Sequence, residues 1–210
     1  MSKEWYRRST WSDEDAKEFE NKLMRTNTKN RAQYLRIQAY HLVEASLQVP
    51  SLQLLDRLLI EYPDDHQIAQ AQYQRAEIFL QLNRIEEAIA AYRQAMDAQR
   101  KKPNVRTDAY LGFVWFVANT SHTSLFDEAL EVLKEFGGDE AFPVEQFKYF
   151  ASLAMIHAAK GNRTIASTHA KRALTAMNAK KSKFRYHHNL GLVHDVDSII
   201  VERLKIIAAS

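Results

Sequence analysis

AQYQRAEIFLQLNRIEEAIAAYRQAMDA, residues 71 to 98, decides the fold class of this chain. Ala76, Ala88 and Ala95 carry almost no side chain, so two antiparallel helices can approach closely at those points. Leu80, Leu82, Ile85, Ile89 and Tyr92 recur at the three and four residue spacing that stripes one face of each helix, with Asn83 at the turn between them. Neither helix can bury that face alone. Stacking against similar neighbours stabilises such a hairpin, so one good unit predicts others at a period of about 34 residues.

Three further units align on the same small and large positions. Upstream, Tyr34, Leu35, Ala39 and Leu42 make a first helix, Leu55, Leu58 and Leu59 make a second, and Tyr62-Pro63 closes the unit. This unit lacks the small residue of its second helix, where Ser51 stands. Downstream, Tyr110, Leu111, Gly112 and Phe116, then Phe126, Ala129, Leu130 and Leu133, form a third unit with a longer inner loop through Asn119 to Ser124. The fourth, with Phe150, Leu153, Ala154, Gly161, Ala166, Ala170 and Ala173, restores the turn glycine and the paired alanines.

Over residues 32 to 180 the pattern resembles the tetratricopeptide repeat (TPR) family, with two units close to it and two degenerate. The resemblance implies an all-α, right-handed α-solenoid of about four hairpins, flanked here by an N-terminal cap over residues 1 to 31 and by a linker and cap helix over 181 to 210. It also implies a non-catalytic protein-binding scaffold, in which the first helices of successive units line a concave groove for a peptide or a partner's helix. The groove would then be lined by Arg36, Tyr40, Tyr73, Gln74, Arg106, Tyr110 and Phe113, together with Gln33, Gln70, Glu77, Lys148, Ser152 and Met155. Some family members clamp a C-terminal carboxylate with two lysines, two asparagines and an arginine. At those positions this chain has Arg36, Tyr40, Gln74, Arg106 and Tyr110, so both lysine sites keep a cation, one amide survives as glutamine, and tyrosines stand for the rest. Arginine forks bind carboxylates in bidentate fashion, so a free C-terminal carboxylate is one candidate ligand and a solvated groove wall is the plainer reading.

Composition agrees with one helical domain of 210 residues. Five glycines, four prolines and no alternating β-branched runs leave little for a sheet. The absence of cysteine removes disulfides, thiolate zinc sites and cysteine nucleophiles, and suits a reducing cytosol. The first residues, MSKEWYRRSTW, have no apolar core of signal-peptide length, and no stretch approaches the roughly 18 apolar residues of a membrane span, so a cytoplasmic protein without membrane contact is expected.

The flanks read as caps. Ser12 with Asp15 three residues later resembles a helix start, Asp13 and Glu14 suit its positive end, and Ala16, Phe19 and Leu23 form its apolar stripe. Trp5, Tyr6 and Trp11 precede it, either as anchors on the first repeat or as a recognition patch. At the other end, Asp195 to Ala208 carries Ile199, Ile200, Leu204 and Ile207 at helical spacing.

The net charge of +3 hides a local imbalance. No acidic residue occurs between Glu145 and Asp195, while Lys148, Lys160, Arg163, Lys171, Arg172, Lys180, Lys181, Lys183 and Arg185 all fall there, with His157, His169, His187, His188 and His194. Gathered on one face, the basic region would attract an acidic protein or a nucleic acid; scattered over a helical surface, it would not. Phe184 to Val193 mixes aromatic, basic and apolar residues around Gly191, a composition that could stack on bases but suits better a segment tying the cap helix down.

No phosphate loop, nucleophile elbow or paired metal-binding histidines at helical spacing are found, so neither an enzyme nor a cofactor is expected. His188, His194, Asp195 and Asp197 would need converging geometry to hold a metal, and His157 and His169 are expected to be half-buried beside the fourth hairpin's seam. Three functions fit: a repeat adaptor gripping a peptide or protein, an immunity-type protein neutralising a dedicated toxin, and a nucleic-acid binder using the basic end.

Overall fold

A computed structural model describes residues 4–184 and 186–210 of the chain. It is all-helical among the described residues: α1 (Asp13–Met24), α2 (Thr28–Glu44), α3 (Gln48–Glu61), α4 (Ile68–Gln81), α5 (Ile85–Lys101), α6 (Ala109–Asn119), α7 (Phe126–Phe136), α8 (Pro143–Ala159), α9 (Arg163–Met177) and α10 (Ser198–Ala209). The chain packs as two compact units, Met1–Ala109 and Tyr110–Ser210, where composition alone suggested a single domain.

In the first unit, α2 packs on α3 and α4 on α5, and α3 and α4 join the two hairpins. Ala39 and Ser51 are fully buried, as are Ala76 and Ala88, so each hairpin closes on a pair of small residues twelve positions apart. Ser51 therefore fills the place that the sequence reading left empty. Its hydroxyl donates to the Ala39 carbonyl at 2.8 Å, which removes the penalty for burying it. The second unit repeats the arrangement with Ala154 of α8 and Ala166 of α9, and α10 packs on α9 and α8.

The turns share one device. Leu47, Arg84 and Asn162 donate their N–H to the carbonyls of Leu42, Phe79 and His157 at 2.8, 2.8 and 2.9 Å. The residue before each, Ser46, Asn83 or Gly161, stands in the left-handed region at φ 60°, 56° or 80°. Between α6 and α7 the same bond joins His122 to Val117 at 3.2 Å, with Ser121 at φ 55°. Seven positions before that residue lies buried Val114, where the other hairpins have alanine, so the register is set by Val114 and not by Gly112. Three extra residues then form a 3-10 turn, Thr123–Leu125, before α7 begins. Successive hairpins are accordingly offset by 37, 38 and 40 residues instead of the expected period.

The front cap forms as its sequence predicts. Ser12 Oγ accepts from the Asp15 N–H at 3.2 Å, and the Asp15 carboxylate accepts from the Ser12 N–H at 3.1 Å. Trp5 lies 5.2 Å from both Phe19 and Tyr34, Tyr6 lies 4.6 Å from Tyr34, and Trp11 lies 5.4 Å from Phe19, so these aromatics are anchors on α1 and α2. Fully buried Gln38 of α2 fixes this segment from below: it accepts from the Arg8 N–H at 3.0 Å and donates to the Arg8 carbonyl at 2.8 Å.

Candidate functional site

The inward residues of α2 and α4 meet in a cleft of about 230 Å³ lined by Tyr40, Val43, Glu44, Gln70, Tyr73, Gln74, Glu77 and Gln81, floored by Ala39, Ser51 and Ile78. It lies wholly within the first unit. The floor is the small-residue seam: because Ala39 and Ser51 leave room, larger neighbours can stand up as walls. Tyr40, at 48% exposure, offers a ring to the outside. Tyr73 packs 6.1 Å from the fully buried ring of Tyr92 on α5, and the Tyr92 hydroxyl donates to the Glu77 carboxylate. Burial pushes both phenols well above their usual pKa, and the nearby Glu77 charge adds to the shift. Both phenols stay protonated, and the Tyr92 hydroxyl holds Glu77 in place at the cleft wall. The buried Gln74 amide oxygen has no hydrogen-bond partner.

Five of the expected groove residues, Tyr40, Gln70, Tyr73, Gln74 and Glu77, thus share one cleft. The remaining ones do not line it. Arg36 is half-buried on α2, and its Nε donates to Gln67 Oε1 at 2.5 Å; burial pulls its pKa down, with no carboxylate paired to it among the described residues. Arg106 sits in the loop between α5 and α6 and not on a helix, because Pro103 ends the preceding helix and α6 starts only at Ala109. Tyr110 belongs to the second unit, stacked 6.1 Å from Phe136 with its hydroxyl donating to Glu140 at 3.1 Å. Phe113 is fully buried, as are Ser152 and Met155, so these are core residues and not groove walls. The cleft carries two carboxylates, Glu44 and Glu77, and no cation, which is the reverse of what a carboxylate clamp requires.

The basic region lies in the second unit. Lys171 and Arg172 are exposed on α9, Lys180, Lys181 and Lys183 are exposed on the segment after it, and Arg185 lies outside the described residues. None of these five cations is paired with a carboxylate among the described residues. Arg172 lies over the Phe150 ring at 3.8 Å, and Phe150, His169 and His157 continue the column, with ring centroids 6.0 and 6.1 Å apart. The segment itself is tied down. Phe184 stacks on Phe142 at 4.8 Å, Ser182 donates its N–H to His188 at 2.7 Å, and Val144 donates to the Gly191 carbonyl at 2.9 Å. Gly191 has φ 69° and a Cβ there would come within 2.4 Å of Phe142, so only glycine fits. His188, His194, Asp195 and Asp197 form no ligand cluster, and no group of three or more possible metal ligands occurs among the described residues.

Two histidines in that column make the second unit sensitive to acid. Burial lowers the pKa of both from the usual 6.5, helped at His157 by Lys160 and at His169 by His157 and then Arg172. The unfolded chain therefore binds more protons than the folded one once pH drops below 6.5, so stability is full above that value and declines as pH falls toward the folded pKa values. Denaturant midpoints taken at pH 7 and pH 5.5 should show this decline in the wild type and a smaller one in His157→Gln/His169→Gln. An equal decline in both would assign the effect to other groups.

Compared with protein-family models, curated proteins and solved structures, the chain matches none. No helix among the described residues is long and apolar enough to cross a membrane.

Proposed function

We propose that this chain is a non-catalytic scaffold, a right-handed solenoid of TPR-like hairpins, whose first unit holds a peptide or protein partner in the cleft between α2 and α4. The cleft itself carries the reading: an exposed tyrosine ring, a buried amide oxygen without a partner, and a glutamate held in place from behind. An apolar floor with a few fixed polar groups is the usual make-up of a recognition site. Its charge favours a segment that brings an amide or a cation, since an incoming N–H would satisfy Gln74 after a small rotation of its amide and a lysine or arginine would meet Glu44 and Glu77. A carboxylate terminus suits it poorly.

Panning a displayed peptide library on the full chain tests this. Selected peptides should be rich in lysine, arginine or asparagine, and their affinity should fall by about tenfold or more in Tyr40→Ala and Gln74→Leu, the loss of one good contact. Lys180→Ala/Lys181→Ala/Lys183→Ala should leave them unaffected. Peptides that ignore both cleft variants would sink the proposal. One observation favours a second reading: five unpaired, exposed cations on the second unit suit an acidic protein or a nucleic acid. Binding lost only in the triple lysine variant, and lost steeply with salt, would move the site there.

A further inference from the structure

Helix α10 buries one face and leaves another bare. Leu204 and Ile207 are buried, but Ile199 and Ile206 are 74% and 70% exposed, although the sequence placed Ile199 in the packed stripe of a cap. Positions 199, 202, 203 and 206 follow the spacing that puts residues on one side of a helix. With Ala158 at the end of α8 and Ile207, they line an open, mainly apolar cleft of about 530 Å³. Along the stripe the order is isoleucine, glutamate, arginine, isoleucine.

That order is its own complement when read backwards. Laid antiparallel about a two-fold axis passing between positions 202 and 203, two such helices set Ile199 of each against Ile206 of the other and Glu202 of each against Arg203 of the other. We propose that the chain forms a homodimer through this face of α10. Two-fold contacts must be self-complementary, and this stripe meets that condition in both its apolar and its charged positions. Arg203 has no carboxylate within reach among the described residues, while Glu202 is held only by Lys205, at 2.6 Å on the exposed surface. A lipid surface is a poor alternative occupant, because Glu202 and Arg203 stand in the middle of the apolar stripe and not beside it. A pair of 12-residue helices covers less than the roughly 1,200–2,000 Å² of a standard stable interface, so association is weak and concentration dependent.

Sedimentation equilibrium of the full chain over a range of concentrations tests the proposal. A species of twice 24.3 kDa should grow with concentration. Ile199→Asp/Ile206→Asp should abolish it, and both positions are exposed enough for the fold to survive, which circular dichroism checks. Glu202→Arg and Arg203→Glu should each weaken dimerisation by about tenfold or more, since each sets like charges face to face twice. The double reversal Glu202→Arg/Arg203→Glu should recover the wild-type association. A chain that stays monomeric throughout, or a double variant no better than the singles, overturns the proposal; in the first case the face belongs to another partner.

Discussion

Tyr92→Ala is expected to cost about 3–5 kcal/mol of stability, the usual effect of removing a fully buried aromatic ring. The ring fills the space behind Tyr73, and α4 and α5 come together around Ala76 and Ala88 too closely to refill it from elsewhere. Tyr92→Phe keeps the packing and removes the hydroxyl that donates to the Glu77 carboxylate, so its cost should be about 1.5–3 kcal/mol, the usual range for a hydrogen bond to a charged group. The two variants therefore separate two duties of one residue. Alanine should lower the denaturant midpoint severely, while phenylalanine should leave a well-folded protein with an untethered Glu77 and a weaker grip on a cationic peptide. An alanine variant within about 1 kcal/mol of wild type would mean that the hairpin closes without this ring.

Gln38→Leu should cost about 2–4 kcal/mol, because leucine matches the volume but leaves both the N–H and the carbonyl of Arg8 without their partner. No helix rescues them, since Arg8 lies ahead of α1. Trp5 and Tyr6, placed by the same segment, should gain water, so tryptophan emission should move to the red and trypsin should cut sooner after Arg7 and Arg8. Unchanged emission together with an unchanged midpoint would show that the aromatic contacts hold the segment alone.

Much of the fold was legible because it rests on local rules. Ala76, Ala88 and Asn83 mark the α4 and α5 hairpin by size and turn chemistry, and Ser12 with Asp15 marks the start of α1 by a reciprocal pair of bonds. What escaped is set by partners distant in sequence or by shifts too small to show in a pattern. Gln38 looks like any polar helix residue until Arg8, 30 positions earlier, is seen to need it. Ser51 reads as a missing alanine unless its hydroxyl is given the Ala39 carbonyl. The third hairpin lost its register through three residues of 3-10 turn, which hydrophobic spacing does not record.

The site was legible to the same extent. Tyr40, Gln70, Tyr73, Gln74 and Glu77 follow directly from the helical face, whereas Arg106 and Phe113 fall off the groove because the third hairpin is registered on Val114, two residues beyond Gly112. Glu77 was also legible on that face, whereas the hydroxyl of Tyr92 that fixes its carboxylate comes from another helix, a contact that no single-helix pattern contains.

The clasp on Arg8 also sets an order of events during synthesis. The tightest pairings, α4 with α5 and α8 with α9, join neighbours in the chain, so each can form as soon as both of its helices have left the ribosome. Arg8 emerges before Gln38 and must wait for it, and Trp5, Trp11 and Phe19, which can touch one another at once, lack the cover of α2 until then. A nascent chain paused between these points would show chaperones three loosely covered rings, and the same chain paused a little later would show Phe19 no longer and the two tryptophans only in part.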